Sequence, residues 1–132
     1  MIITNQSGIK RGFFTAHDVD RVHERLRQLL SEKGVSVDRI YYSPDLPGEG
    51  SRIRKPGTAL VEQAAQELDL NLEGSYCIGD KGEDIEMGKR KKMRTILVLS
   101  GHGAEFEGKS EADYRATDLL DAARWIAEQE AG

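Results

Sequence analysis

The sequence predicts an α/β domain, a parallel sheet with helices on both faces. Short β-branched or aromatic runs alternate with apolar-periodic segments along the chain, giving four βα-like units. Thr95-Ile96-Leu97-Val98-Leu99 is an unbroken apolar run, the pattern of a parallel strand covered on both sides. The 132 residues are one domain's worth, so residues 1–132 are read as a single domain, with no repeat and no low-complexity segment.

The first strand is the short Ile2-Ile3-Thr4, followed by the polar turn Asn5-Gln6-Ser7-Gly8. Thr15-Ala16-His17-Asp18 has the form of a capping box. Behind it Val19, Val22, Leu26, Leu29 and Leu30 recur at helical spacing, and Gly34 is expected as the C′ glycine. Residues 38–43 read as a strand and Pro44 to Gly57 as a loop holding all three prolines. A helix is expected over Ala59–Leu68, with Thr58 available as its N-cap. Ser75-Tyr76-Cys77-Ile78 is a strand ending at Gly79-Asp80, and a charged helix follows from Glu83 to Lys92. Tyr114 marks one more short strand, and Leu119, Ala122, Ala123 and Ile126 line a final amphipathic helix.

Composition narrows the function classes. Lys plus Arg is 19 and Asp plus Glu is 23, a net charge of −4, which argues against an electrostatic nucleic-acid binder. A single cysteine, Cys77, excludes an internal disulfide and a multi-thiolate zinc site within one chain. No apolar run approaches the roughly 20 residues that span a bilayer, so no membrane association is expected and the cytoplasm is the expected location.

Ligands of parallel α/β sheets bind at the carboxyl ends of the strands, and three of those ends carry phosphate chemistry. Thr4-Asn5-Gln6-Ser7-Gly8 offers hydroxyls, amides and a turn able to nest an anion. Arg54-Lys55-Pro56-Gly57 places a forked guanidinium and a point charge ahead of a helix N-terminus. In Gly79-Asp80-Lys81-Gly82-Glu83-Asp84, a carboxylate at a strand tip with a second one four residues on suits Mg²⁺, which prefers oxygen ligands. Taken one at a time these read as an ordinary turn, a solvated basic pair and a helix cap. His17, His23 and His102 lack a partner at metal-ligand spacing, Cys77 and Trp125 read as packing residues, and Lys89-Arg90-Lys91-Lys92 reads as a solvated helix end.

The order of Thr4–Ile9, Arg11-Gly12, Arg54–Gly57, Gly79–Ile85 and Thr95–Gly101 resembles the haloacid-dehalogenase-type phosphatases, in their heptose-bisphosphate and histidinol-phosphate branch. The resemblance runs from Ile2 to about Gly101. It implies a Rossmann-like parallel sheet and hydrolysis of a phosphate monoester through an aspartyl-phosphate with Mg²⁺. By position, Thr4 would bind the transferring phosphoryl group, and Asn5, Gln6 and Ser7 would line the substrate site. Arg54 and Lys55 would hold phosphates, Asp80 would bind Mg²⁺ with Asp84 behind it, and Lys81 would touch substrate. The implied partner is a phosphorylated small molecule, a sugar phosphate.

Two departures qualify this. The family opens with a DxDGT-type motif holding the nucleophile and the general acid, whereas this chain starts at the second motif. The branch also often holds zinc in the loop before Arg54. The matching positions here are Ser43, Asp45, Ser51 and Ile53, which cannot rebuild that site, so no zinc is expected. The expectation is therefore an N-terminally truncated core, a chain inactive on its own, and weak Mg²⁺ binding. The family's first strand would lie between residues 2–4 and 75–78. Without it, either an open edge prone to self-association or direct pairing of those two strands is expected. Three readings stay open: a shortened phosphatase, a non-catalytic sugar-phosphate-binding module, and an interaction protein completed by another chain.

Overall fold

A computed structural model describes residues 1–132, and the chain divides into two compact units, Met1–Asp69 and Leu70–Gly132. The first contains β1 (Ile2–Asn5), α1 (Ala16–Ser31), β2 (Ile40–Ser43) and α2 (Ala59–Glu67). The strands are parallel, with Ile3 opposite Tyr41 and Thr4 opposite Tyr42. Alternation of side chains sends Ile3 and Tyr41 to one face, where they pack with Leu60 and Ala64 of α2 and with Ile53. Tyr42 points to the other face and meets His23 of α1 edge-on, ring centroids 6.0 Å apart. Each face of this small sheet therefore carries a helix.

The capping box at the start of α1 forms as expected. The Asp18 amide donates to Thr15 Oγ1 (3.1 Å), and the Thr15 amide donates to Asp18 Oδ2 (2.8 Å). At the other end Glu32 is the C-cap, so Gly34, at φ +73°, lies one residue beyond the expected C′ position. The predicted apolar face of α1 is only partly covered: Val19 is buried, but Val22 is 66% and Leu29 45% exposed. The reason is geometric, since two four-residue strands run about 13 Å whereas a 16-residue helix runs about 24 Å.

The second unit holds β3 (Tyr76–Gly79), α3 (Gly82–Arg90), β4 (Arg94–Val98), β5 (Tyr114–Ala116) and α4 (Leu119–Ala131). The sheet order is β3-β4-β5, all parallel. Cys77 and Thr95 are opposite each other and meet α3 at Gly88, where an added Cβ would lie 2.8 Å from Cys77 Cβ and 2.7 Å from Thr95 Cγ2. The opposite face buries Ile96, Val98 and Ala116 against Ala122 of α4, and Trp125 stacks on Tyr114 at 4.6 Å. Cys77 and Trp125 are thus packing residues, as expected. Thr95 is fully buried within the apolar run; Asp113 satisfies it by accepting from its amide (2.8 Å) and its hydroxyl (3.1 Å).

These are parallel sheets covered by helices, the predicted class. Direct pairing of residues 2–4 with residues 75–78 does not form: β1 pairs with β2, β3 pairs with β4, and each of β1 and β3 ends its own sheet. No helix is long and apolar enough to cross a membrane.

Ile96 has no exposed surface and sits in the central strand of the second sheet. Ile96→Ala should therefore cost about 2–5 kcal/mol in urea unfolding, with the slope unchanged. A midpoint equal to that of the parent chain would contradict this account of the core.

Candidate phosphate and metal site

Parallel pairing decides which backbone groups of β1 are spent on β2. The Ile2 amide donates to Arg39 O and the Gln6 amide to Ser43 O, so residues 2, 4 and 6 face β2 and the Ile3 carbonyl points to the open edge. Lys55 Nζ donates to that carbonyl at 2.9 Å, and the Lys55 amide donates to Asn5 Oδ1 at 3.1 Å. The end of the 44–57 loop is thereby tied twice to the carboxyl end of β1. The turn that follows is tight. The Gly57 amide donates to Arg54 O (2.7 Å), and a Cβ on Gly57 would lie 2.5 Å from Arg52 O. α2 then begins at Ala59 with Thr58 as N-cap, as expected. The Thr58 hydroxyl makes no capping bond, because its backbone (φ −105°, ψ 0°) is not extended.

Around this anchor Gln6 Nε2 donates to Thr4 Oγ1 (3.1 Å), and Arg11 Nε donates to Ser7 Oγ (3.3 Å). Each hydroxyl accepts a bond and keeps its own proton to donate elsewhere. Gln6 also lines an apolar cleft with Phe14, Val19, Val22 and His23. The structure joins Asn5 to Lys55 and Thr4 to Gln6, while Arg54 turns its guanidinium to the Asp45 carbonyl (Nη1–O 3.1 Å).

The second unit builds its own strand end. Asp80 follows β3, and its Oδ2 accepts the His102 amide at 3.0 Å. That amide comes from the glycine loop after β4. Gly101 is at φ +64°, where an added Cβ would lie 2.5 Å from Asp80 Oδ2, and a Cβ on Gly103 would overlap Val98 O. In the sequence His102 stands out only as a histidine without a partner at metal-ligand spacing. The two glycines flanking His102 were the available signal. The His102 side chain itself is exposed, 58%.

Asp80 is not the helix cap that the bland reading allowed. Lys81 is the N-cap of α3, and the buried Asp84 reaches back to accept the Lys81 amide (3.2 Å). Gly79 makes that possible, since a Cβ there would lie 2.3 Å from Asp84 Cβ. Asp80 thus offers a hard oxygen held by backbone, but no three His, Cys, Asp or Glu side chains converge. This donor set fits Mg²⁺ as one carboxylate ligand, with waters and a phosphate oxygen completing the shell. Of the four loop positions matched to the zinc-holding loop, the Asp45 amide donates to Ser43 Oγ (3.2 Å) and Ser51 Oγ donates to Asp45 Oδ2 (2.6 Å). The Ile53 amide donates to Ser51 Oγ (3.2 Å), and the Ile53 side chain joins the core.

Gly101→Ala forces Asp80 off the His102 amide. Magnesium-dependent phosphate binding should weaken about tenfold or more with the far-UV spectrum retained. Unchanged binding would mean that the glycine loop does not hold Asp80.

Residues 52–122 match the HAD-hydrolase-like family. The chain is 42% identical over 137 residues to the D-glycero-D-manno-heptose-1,7-bisphosphate 7-phosphatase of Chlorobaculum tepidum, covering 92% of this chain and 69% of that protein. It is 35% identical to the D-glycero-beta-D-manno-heptose-1,7-bisphosphate 7-phosphatase of Pasteurella multocida, covering 96% of this chain and 72% of that one. The fold is similar to the crystal structure of the D,D-heptose 1,7-bisphosphate phosphatase of B. bronchiseptica, complexed with magnesium and phosphate. The TM-score is 0.89 at 26% identity, over 97% of this chain and 74% of that one. With the motifs, the parallel strand ends and these relatives in agreement, the chain belongs to the haloacid-dehalogenase-type hydrolases, in the heptose-bisphosphate phosphatase branch.

Proposed function

We propose that the chain supplies the phosphate-holding and Mg²⁺-holding parts of a phosphomonoester hydrolase, acting on a sugar phosphate of the heptose-bisphosphate kind in the cytoplasm. The observation that carries this is Lys55, a cation anchored by its own amide and ammonium at the end of β1, beside Thr4 and Asn5. A phosphate dianion there meets the Lys55 charge and the Arg54 fork. The Thr4 hydroxyl, whose oxygen accepts from Gln6, has its proton to donate to a phosphoryl oxygen, and Ser7 is equipped in the same way by Arg11. Asn5 and Gln6 line the substrate beside them. In the second unit Asp80 holds Mg²⁺, Asp84 keeps the start of α3 fixed behind it, and Lys81 contacts substrate. When bound, the metal offsets charge on the phosphate oxygens.

Transfer of the phosphoryl group requires a nucleophile, and no aspartate of these 132 residues lies in a DxDGT-type setting. Holding groups alone do not replace it, because uncatalysed phosphate-monoester hydrolysis is slower by up to about 10²¹-fold. The 132 residues alone are a sugar-phosphate-binding module, inactive and with weak Mg²⁺ affinity. A second reading rests on β1 and β3 each ending a sheet: a strand from another chain, or from a second copy, pairs at such an edge. Nucleic acid is no partner of this acidic chain.

The test is an assay of the 132 residues on a generic phosphate ester and a panel of sugar bisphosphates with Mg²⁺, alongside calorimetric titration with phosphate. Turnover near background is expected, with measurable phosphate binding that Arg54→Gln weakens about tenfold or more. Mg²⁺ should bind appreciably only with phosphate present. Substantial turnover abolished by Asp80→Asn, or micromolar Mg²⁺ affinity without phosphate, would contradict the proposal. A solution mass of the monomer would count against the edge-pairing reading.

A further inference from the structure

We propose that Asp45 and Ser51, tethered by Lys10, form a hydrogen-bonded clasp that positions Arg54 for its anion; this rests on the reading of Arg54 as a phosphate ligand. The 44–57 loop contains no helix or strand. An arginine on such a loop would ordinarily sample many rotamers. Here its backbone amide is held by the Ser51 hydroxyl and its guanidinium by the Asp45 carbonyl.

The Ser51 hydroxyl is fully used. Its proton goes to Asp45 Oδ2 (2.6 Å), and its oxygen accepts the amides of Ile53 (3.2 Å) and Arg54 (2.9 Å). Asp45 then acts twice. Its carboxylate orients Ser51, which fixes the Arg54 backbone, and its carbonyl accepts from Arg54 Nη1 (3.1 Å). The other four of the guanidinium's five N–H groups make no hydrogen bond within the chain. A half-buried arginine held by one donor, with the rest of its fork unused, is oriented to receive an oxyanion.

Asp45 is itself held. Its amide donates to the Oγ of Ser43, which has no exposed surface. Lys10 Nζ lies 2.8 Å from Asp45 Oδ1 and 3.2 Å from Glu49 Oε2, and Glu49 Oε2 also accepts the Leu46 amide (3.0 Å). Lys10 belongs to the turn that carries Gln6 and Ser7, so the clasp joins the two segments that bear the anion ligands of the first unit. The Lys10 ammonium and the Ser51 hydroxyl hold the Asp45 carboxyl below the usual carboxylate range. The same partners, Asp45 and then Glu49, raise Lys10 above the ordinary lysine value. For a lowered carboxylate the stabilisation is present above its unfolded value and lost as pH falls through the folded one. For a raised lysine it is present below the unfolded value and lost as pH rises through the folded one. With Lys10, Glu49 and Arg54 the charged groups about this carboxylate–ammonium pair, the clasp stays intact between the ordinary carboxylate and the ordinary lysine values.

The experiment is a double-mutant cycle read by inorganic-phosphate titration, with hydrogen exchange of the Arg54 amide and guanidinium in phosphate-free protein as a second readout. Ser51→Ala should weaken phosphate binding about fivefold or more in the parent chain, but less than about twofold in the Arg54→Gln background. Ser51→Ala and Asp45→Asn should both speed Arg54 exchange, and Ser51→Thr should restore the parent behaviour. Equal weakening in both backgrounds, or unchanged exchange, would overturn the clasp. Should Ser51→Ala unfold the chain, Asp45→Asn and Ser51→Thr carry the same comparison. A parent chain that binds no phosphate overturns the reading of Arg54 as an anion ligand, and the exchange rates alone then decide the clasp.

Discussion

Lys55 makes two hydrogen bonds to the end of the first strand, and the organisation of the first unit follows from them. Its amide is tied to Asn5 Oδ1 and its ammonium to the Ile3 carbonyl, across 50 and 52 residues of sequence. The closure fixes where the long loop returns, and so where α2 begins and which strand end acquires positive charge. It also occupies a carbonyl on the open edge of β1, an acceptor that an incoming strand would otherwise use. The proposed anion contact and the cover of this edge therefore draw on the same side chain.

The second unit reaches a comparable result with an acid in place of a base. Asp80 is held by a backbone amide, and the loop that supplies this amide passes so close to Asp80 and Val98 that positions 101 and 103 have no space for a side chain. Asp84, one turn into α3, takes the capping work that would otherwise fall to Asp80. In both units the charged group is oriented by main-chain atoms whose positions the sheet sets. Precision at the strand end thus depends on cores centred on Tyr41 and Leu60 in one unit and on Ile96 in the other.

Much of this was legible in the residues. The Thr15–Asp18 box, the α2 start after Pro56-Gly57, the buried run beginning at Thr95 and the packing role of Trp125 are local signals. Contacts across distance were not legible. Nothing in Asp113 announces that it satisfies Thr95, and nothing in the apolar period of α1 says that Val22 and Leu29 stay exposed on a sheet too short to cover them. Ser51 and Asp45 were read only as residues unable to bind zinc. Their hydrogen bonds to each other and to Arg54 depend on the path of the loop, which no periodicity encodes.

The central claim, that the strand ends of this chain hold a phosphate, is tested most directly by adding inorganic phosphate and Mg²⁺ to the isotope-labelled protein and following backbone amide resonances. The account predicts saturable shifts concentrated at residues 4–8, 54–57 and 80–81. Shifts confined to the basic run Lys89–Lys92, or no saturable shift at all, would contradict it.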